Sequence, residues 1–247
     1  MTANRSAVDI QVDDERIAGT FMAPETKVPG ILFVHGWGGS QQRDLERARG
    51  IAGLGCVCLT FDMRGHEETL VQKDKVTREH NLTDLLASYD QLVNHPAVDC
   101  NCIAVIGTSY GGYLVSILTE LRPVRWLALR VPALYWDEQW TTPKQSLNRK
   151  KLMEYRHMDL GPADNRALRA CSEFKGDVLI VESEFDDLVP HATIMSYRRA
   201  FMDAHSLTYR MIVGADHSLS GDGCHEAYTK ILTSWISEMI IGERVGN

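Results

Sequence analysis

Apolar residues fall into two textures along this chain. Near the start, VDIQV (8–12) alternates apolar and polar positions and, with RIAGTFM (16–22) across an acidic turn, predicts an antiparallel hairpin. After it come short unbroken apolar runs at 30–34, 57–61, 103–106, 126–129 and 178–181. Runs of this kind mark parallel strands, which are covered on both faces and so do not alternate. Helical spacing fills the gaps, over 43–54, 81–93, 110–121, 192–204 and 226–241, and 208–213 reads as a last strand before the final helix. Strand and helix alternate, which predicts an α/β fold with a doubly wound, mainly parallel sheet.

One stretch breaks this rhythm. Residues 133–176 are rich in charge and aromatics (Tyr135, Trp136, Trp140) and hold no clear buried strand. They are expected to form a short helical insert or minimal cap, too small to be a domain of its own, inside one domain spanning 1–247.

Composition narrows the partners more than the fold. A hydrophobic share of 44% supports a sizeable core, and a net charge of -7 argues against nucleic acid or an anionic membrane surface as partner. A small-molecule substrate is the expected partner; oligomeric state is left open. The opening MTANRSAVDIQVDDE lacks the apolar centre of a signal peptide, and no apolar run approaches the ~18 residues of a membrane span, so a cytoplasmic protein is expected. Six cysteines include two C-x-C pairs, at Cys56/Cys58 and Cys100/Cys102. That spacing is not a usual zinc pattern, and the expectation is reduced, mostly buried thiols with no metal. No cofactor is expected either: GWGGS lacks the G-x-G-x-x-G spacing of a dinucleotide site.

The candidate chemistry begins with GTSYGG (107–112), a G-x-S-x-G pattern between a buried strand and a helix. Ser109 then lies at a sharp strand-to-helix turn, where Gly107 and Gly111 allow close approach and the helix N-terminus favours a developing negative charge. A serine hydroxyl needs a base that is itself held in orientation. ESEFDDLVP puts Asp186 and Asp187 after one strand, and VGADHSLS puts His217 after the next. Catalytic groups of open α/β sheets gather at the carboxyl ends of strands, so these loops are expected to converge.

From ILFVHGWGGS through FDMRGH and GTSYGG to EFDDLVP and GADHS, nearly the whole chain resembles the α/β-hydrolase family. The resemblance implies a mostly parallel central sheet of about eight strands with an antiparallel N-terminal hairpin and helices on both faces. It also implies a triad in the chain order Ser109, Asp186, His217, with the acid three residues before the Val of D-x-x-V-P. Asp187 stays as rival acid and His191 as an outlying base. The oxyanion hole is expected from the backbone N–H groups of Tyr110 and, by the same resemblance, Trp37. His35 and His66 are expected to brace loops, Asp216 to form one, and His225 to open the last helix.

The chain departs from the family where relatives often read R-G-H-G-x-S: here Glu67 replaces the glycine. Glu67 and Glu68 are either solvated loop charges or rim groups favouring a positively charged substrate. Tyr135, Trp136, Trp140 and Met158 are either an acyl pocket or packing. A carboxylesterase acting on small or medium acyl groups leads; a peptidase, a cofactor-free perhydrolase and a non-catalytic binding protein are the alternatives.

Overall fold

A computed structural model describes residues 4–23 and 27–246. The hairpin is β1 (Asn4–Val12) and β2 (Glu15–Ala23), paired antiparallel through the turn at Asp13, which takes a positive φ of 55°. Then follow β3 (Val28–Val34), α1 (Gln42–Ala52), β4 (Val57–Phe61), α2 (Arg78–Val93), β5 (Val98–Thr108), α3 (Tyr110–Leu121) and β6 (Trp126–Arg130). The chain closes with α4 (Arg149–Arg156), α5 (Arg166–Glu173), β7 (Asp177–Phe185), α6 (His191–Ala200), β8 (Ser206–Asp216) and α7 (Cys224–Gly246).

All eight strands join one sheet in the order β1-β2-β4-β3-β5-β6-β7-β8. β2 meets β4 antiparallel, and every pairing from β4 to β8 is parallel. The order of travel reverses at β3, whose neighbours are β4 and β5. Loops leaving β3 and β5 therefore emerge side by side, with Val34 paired to Gly107, at the topological switch point where α/β sheets bind ligands.

Each face of the sheet has its own apolar layer. On one, Leu85 and Leu92 of α2, Leu114 and Leu118 of α3 and Ile194 of α6 pack on Leu32, Val105 and Ile180. On the other, Ile51 of α1 and Leu232 and Ile236 of α7 pack on Ile31, Ala104 and Leu179. Cys56, Cys58 and Cys102 lie buried in this second layer, and burial pushes the Cys58 thiol well up, as befits a packing residue. Among the described residues no helix is long and apolar enough to cross a membrane.

Element boundaries moved where caps were not legible. α2 starts at Arg78, three residues before the periodicity suggests, because Thr77 and His80 form a reciprocal cap: Thr77 Oγ1 accepts the His80 N–H and His80 Nδ1 accepts the Thr77 N–H. Histidine stands here for the Glu or Gln of the usual capping box. α6 stops at Ala200 rather than 204, since Phe201 leaves helical geometry at ψ 63°. Between β6 and β7, the stretch 133–176 forms a 3-10 turn (Lys144–Ser146), α4 and α5, with Asn148 and Asn165 side chains capping the two helices.

Candidate active site

Ser109 is the N-cap of α3 and adopts φ 53°, ψ -113°, a conformation that costs a non-glycine residue on the order of 1–3 kcal/mol. The turn is fixed from both sides: Ser109 N–H donates to the Arg130 carbonyl at 2.9 Å, and its own carbonyl accepts from Tyr113 and Ala133. Two glycines permit this geometry. A Cβ on Gly107 would lie 2.5 Å from Val115 Cγ2, and one on Gly111 only 2.3 Å from the Val34 carbonyl oxygen. No side chain fits at either place.

Beyond β7, Asp186 is held by its own turn. Its Oδ1 accepts the N–H groups of Leu188 and Val189, while Oδ2 meets His217 Nδ1 at 2.6 Å. The Asp186 side chain is 2% exposed and the His217 ring 19%, whereas Asp187 points to solvent as an exposed residue. Arg130 Nη2 donates to the His217 carbonyl at 2.9 Å and ties the histidine loop to the end of β6. Ser109 and His217 line one cavity of about 490 Å³. Among the described residues the Ser109 hydroxyl makes no hydrogen bond to the imidazole; catalytic pairs often tighten only in the substrate complex.

The loop after β3 covers the serine turn closely, since a Cβ on Gly36 would approach Ser109 Cβ to 3.2 Å. Two buried histidines hold it. His66 Nε2 accepts the Gly38 N–H at 3.0 Å, and His35 Nε2 accepts the Met63 N–H at 3.2 Å. Each Nδ1 faces carbonyl oxygens, Gly36 for His35 and Met63 and Arg64 for His66, which assigns the proton to Nδ1 in both. Burial, foremost, lowers each pKa to about 4, so both rings are neutral acceptors at pH 7. Trp37 stands edge-on to His66 and Tyr110, with ring centroids 4.9 and 5.7 Å away. The backbone N–H groups of Trp37 and Tyr110 donate to no other described residue.

The remaining candidates take other places. His191 Nδ1 engages Glu182 at 2.7 Å and is not on the cavity wall. Asp216 accepts from Ser220 and shapes its own loop. Glu67 and Glu68 are exposed in a 3-10 turn away from the cavity wall, so they are solvated charges and not rim groups. Of the four residues considered for an acyl pocket, Tyr135 alone reaches the cavity. Trp136 and Trp140 pack on the core, where Arg78 lies 5.3 Å over the Trp140 ring, and Met158 is 54% exposed. The apolar wall is Leu147, Leu152, Met153, Leu188 and Leu219 instead.

Sequence reasoning missed the cations of this cavity. Lys144 Nζ sits 4.1 Å over Trp37, 4.7 Å over Tyr110 and 5.2 Å over Tyr135, and burial lowers its pKa. Burial alone would push the Tyr135 phenol up, but Lys144 and Arg156 beside it hold it below its ordinary value. Arg156 is buried and donates to the Leu134 and Leu188 carbonyls. A charge ending an otherwise apolar strand, as Arg130 does in WLALR, was the one legible signal.

Comparison with known proteins adds the family. The profile of the prolyl oligopeptidase family matches residues 46–242, a span that holds Ser109, Asp186 and His217 but not the loop after β3. An uncharacterized protein of Mycobacterium tuberculosis is 26% identical over 240 residues, covering 94% of this chain and 80% of its own. Among solved structures, dienelactone hydrolase from Anabaena variabilis superposes with a TM-score of 0.69 at 18% identity, covering 96% of this chain and 99% of that one. Est1E from Butyrivibrio proteoclasticus, with ferulic acid bound, gives 0.70 at 17%, covering 98% and 100%. The acylaminoacyl peptidase of Pyrococcus horikoshii gives 0.69 at 18%, with 95% of this chain matching 41% of that longer one. Such identities speak for the fold, and the profile for the family: this chain belongs to the prolyl oligopeptidase family, serine hydrolases of the α/β-hydrolase fold.

Proposed function

We propose that the protein hydrolyses a carboxylic ester, or a related thioester or amide, through an acyl-enzyme on Ser109. The observation that carries this reading is the 2.6 Å His217–Asp186 pair, whose His217 lines the same cavity as the strained Ser109 turn. In this mechanism His217 Nε2 takes the Ser109 proton as Oγ attacks the substrate carbonyl. Asp186 keeps the other ring proton on Nδ1 and stabilises the imidazolium. The tetrahedral oxyanion accepts from the Trp37 and Tyr110 N–H groups, which donate to no other described residue and sit beside the positive end of α3. Collapse expels the leaving group, protonated by His217, and water then repeats the sequence to free the acid. The segment 133–176 acts as a minimal cap, since Tyr135, Lys144, Leu147, Leu152 and Arg156 close one side of the cavity.

A small-molecule acyl substrate suits a cavity of this size, within the usual range for ligand pockets. Membership of the prolyl oligopeptidase family favours peptide amides as a second reading. Steady-state hydrolysis of p-nitrophenyl acetate and of an aminoacyl p-nitroanilide, by wild type and Ser109→Ala side by side, separates them. Turnover of the ester that falls by a factor of about 10³ or more in the variant supports the esterase. Turnover confined to the anilide favours the peptidase, and equal background rates in both proteins contradict either.

A further inference from the structure

The cavity is lined by six basic side chains, Arg43, Arg47, Arg130, Lys144, Arg149 and Arg156, in a chain whose net charge is -7. One carboxylate, Asp44, shares the wall. Among the described residues only Arg47 of the six forms an ion pair with a carboxylate, to Asp44 at 3.1 Å. Asp186 attracts Arg130 as well, but its oxygens are already taken by His217, Leu188 and Val189. Lys144 rests on aromatic faces and Arg156 on carbonyls, and both share the Tyr135 phenol, so neither pairs with a carboxylate among the described residues.

Two of the six stand out. Arg47 and Arg130 are 8% and 7% exposed, both approach the Tyr228 ring, at 4.8 and 5.6 Å, and each keeps one nitrogen without a hydrogen-bond partner among the described residues, Nε of Arg47 and Nη1 of Arg130. An unmet guanidinium N–H in so buried a position is costly unless a counter-charge arrives. His225, on the same wall, has its pKa lowered by burial first and then by Arg47, Arg130 and Arg43, which reports the local positive potential.

We propose that the cavity selects an anionic substrate, with a carboxylate on the acyl portion held by Arg47 and Arg130 while the ester carbonyl lies at Ser109. This inference rests on the hydrolase reading and names the substrate class of that same site. Arg130 links the two halves physically: it carries the unmet N–H, holds the His217 carbonyl through Nη2, and accepts the Ser109 N–H at its own carbonyl. Cations fixed in a low-dielectric cavity also draw an anion inward during encounter. The preference should therefore weaken as salt is raised.

The test compares mono-4-nitrophenyl esters of adipic, suberic and sebacic acid, each ending in a free carboxylate, with their methyl-capped neutral counterparts. Wild type should favour at least one anionic ester by about 10-fold or more in kcat/KM, the scale of one charge-assisted hydrogen bond. Arg47→Gln and Arg130→Gln should each collapse that ratio toward one, mainly through KM. Because loss of Arg130 also loosens the histidine loop, the ratio and not the rate is read; both esters share any general loss. A wild type that treats charged and capped esters alike at all three lengths, or prefers the capped ones, overturns the proposal. If neither series is cleaved, the esterase reading fails separately, and thermal unfolding decides the subsite. Adipate, suberate or sebacate raising Tm more than the matching diamide, in wild type but not in Arg47→Gln, supports it; no difference overturns it.

Discussion

The two neutral histidines that hold the loop after β3 make a quantitative prediction about acid stability. His35 and His66 each accept a backbone N–H through Nε2, a role open only to the unprotonated ring, and burial lowers each pKa from 6.5 to about 4. In the unfolded chain both titrate near 6.5, so between pH 6.5 and 4 the unfolded state binds more protons than the folded state. Stability is therefore complete above pH 6.5 and is lost as pH falls toward 4. At ~1.4 kcal/mol per pH unit, the displacement from 6.5 to about 4 gives on the order of 3 kcal/mol for each ring. The two rings are 4.7 Å apart, so the combined effect belongs to the pair. Urea unfolding of wild type and of His35→Gln/His66→Gln at pH 7.5, 6, 5 and 4.5 isolates it, because glutamine keeps a carbonyl acceptor and cannot charge. Wild type should lose several kcal/mol more than the double variant over that range. Parallel curves for the two proteins would refute the assignment of the rings as buried neutral acceptors.

Other consequences concern single positions. Asp186→Asn should cut ester turnover by about 10⁴-fold with the fold intact, by analogy with loss of a triad acid, while the exposed Asp187→Asn should change it less than about tenfold; matched losses would reassign the acid. Gly111→Ala should yield little folded protein, since its Cβ would sit 2.3 Å from the Val34 carbonyl, and a wild-type Tm in circular dichroism would contradict that geometry. Asp84 lies fully buried against Arg64 Nε at 2.5 Å and also takes the Arg64 N–H, so Asp84→Ala should destabilise by about 3–5 kcal/mol in chemical denaturation; a loss below ~1 kcal/mol would show the guanidinium re-solvated.

The sheet and its hairpin were legible because burial on both faces leaves unbroken apolar runs, and Tyr110–Leu121 was read to the residue since Ser109 and the glycines around it punctuate its start. Cap-dependent boundaries were less so: nothing in the apolar pattern announces that His80 closes the α2 cap, or that Phe201 ends α6. Within the site, residues that sit next to a recognisable turn, such as Ser109, Asp186 and His217, were named from sequence, and the structure places them just past the carboxyl ends of β5, β7 and β8. The cavity's electrostatics were not. Arg47 comes from α1, Arg130 from β6, Lys144 from a 3-10 turn and Arg156 from α4, so no window of sequence contains the cluster. Glu67 and Glu68 drew notice as a local departure from family pattern, yet they face solvent, and the sign of the cavity is the opposite of the one they suggested.

In the proposed mechanism Ser109 is a nucleophile activated by His217. Intact-mass measurement after exposure to an alkyl fluorophosphonate tests it without any assumption about the natural substrate. One phosphonyl adduct per wild-type chain is expected, mapped to Ser109 by peptide analysis, abolished in Ser109→Ala and formed far more slowly in His217→Ala. An unlabelled wild type, or an adduct that persists in Ser109→Ala, would contradict it.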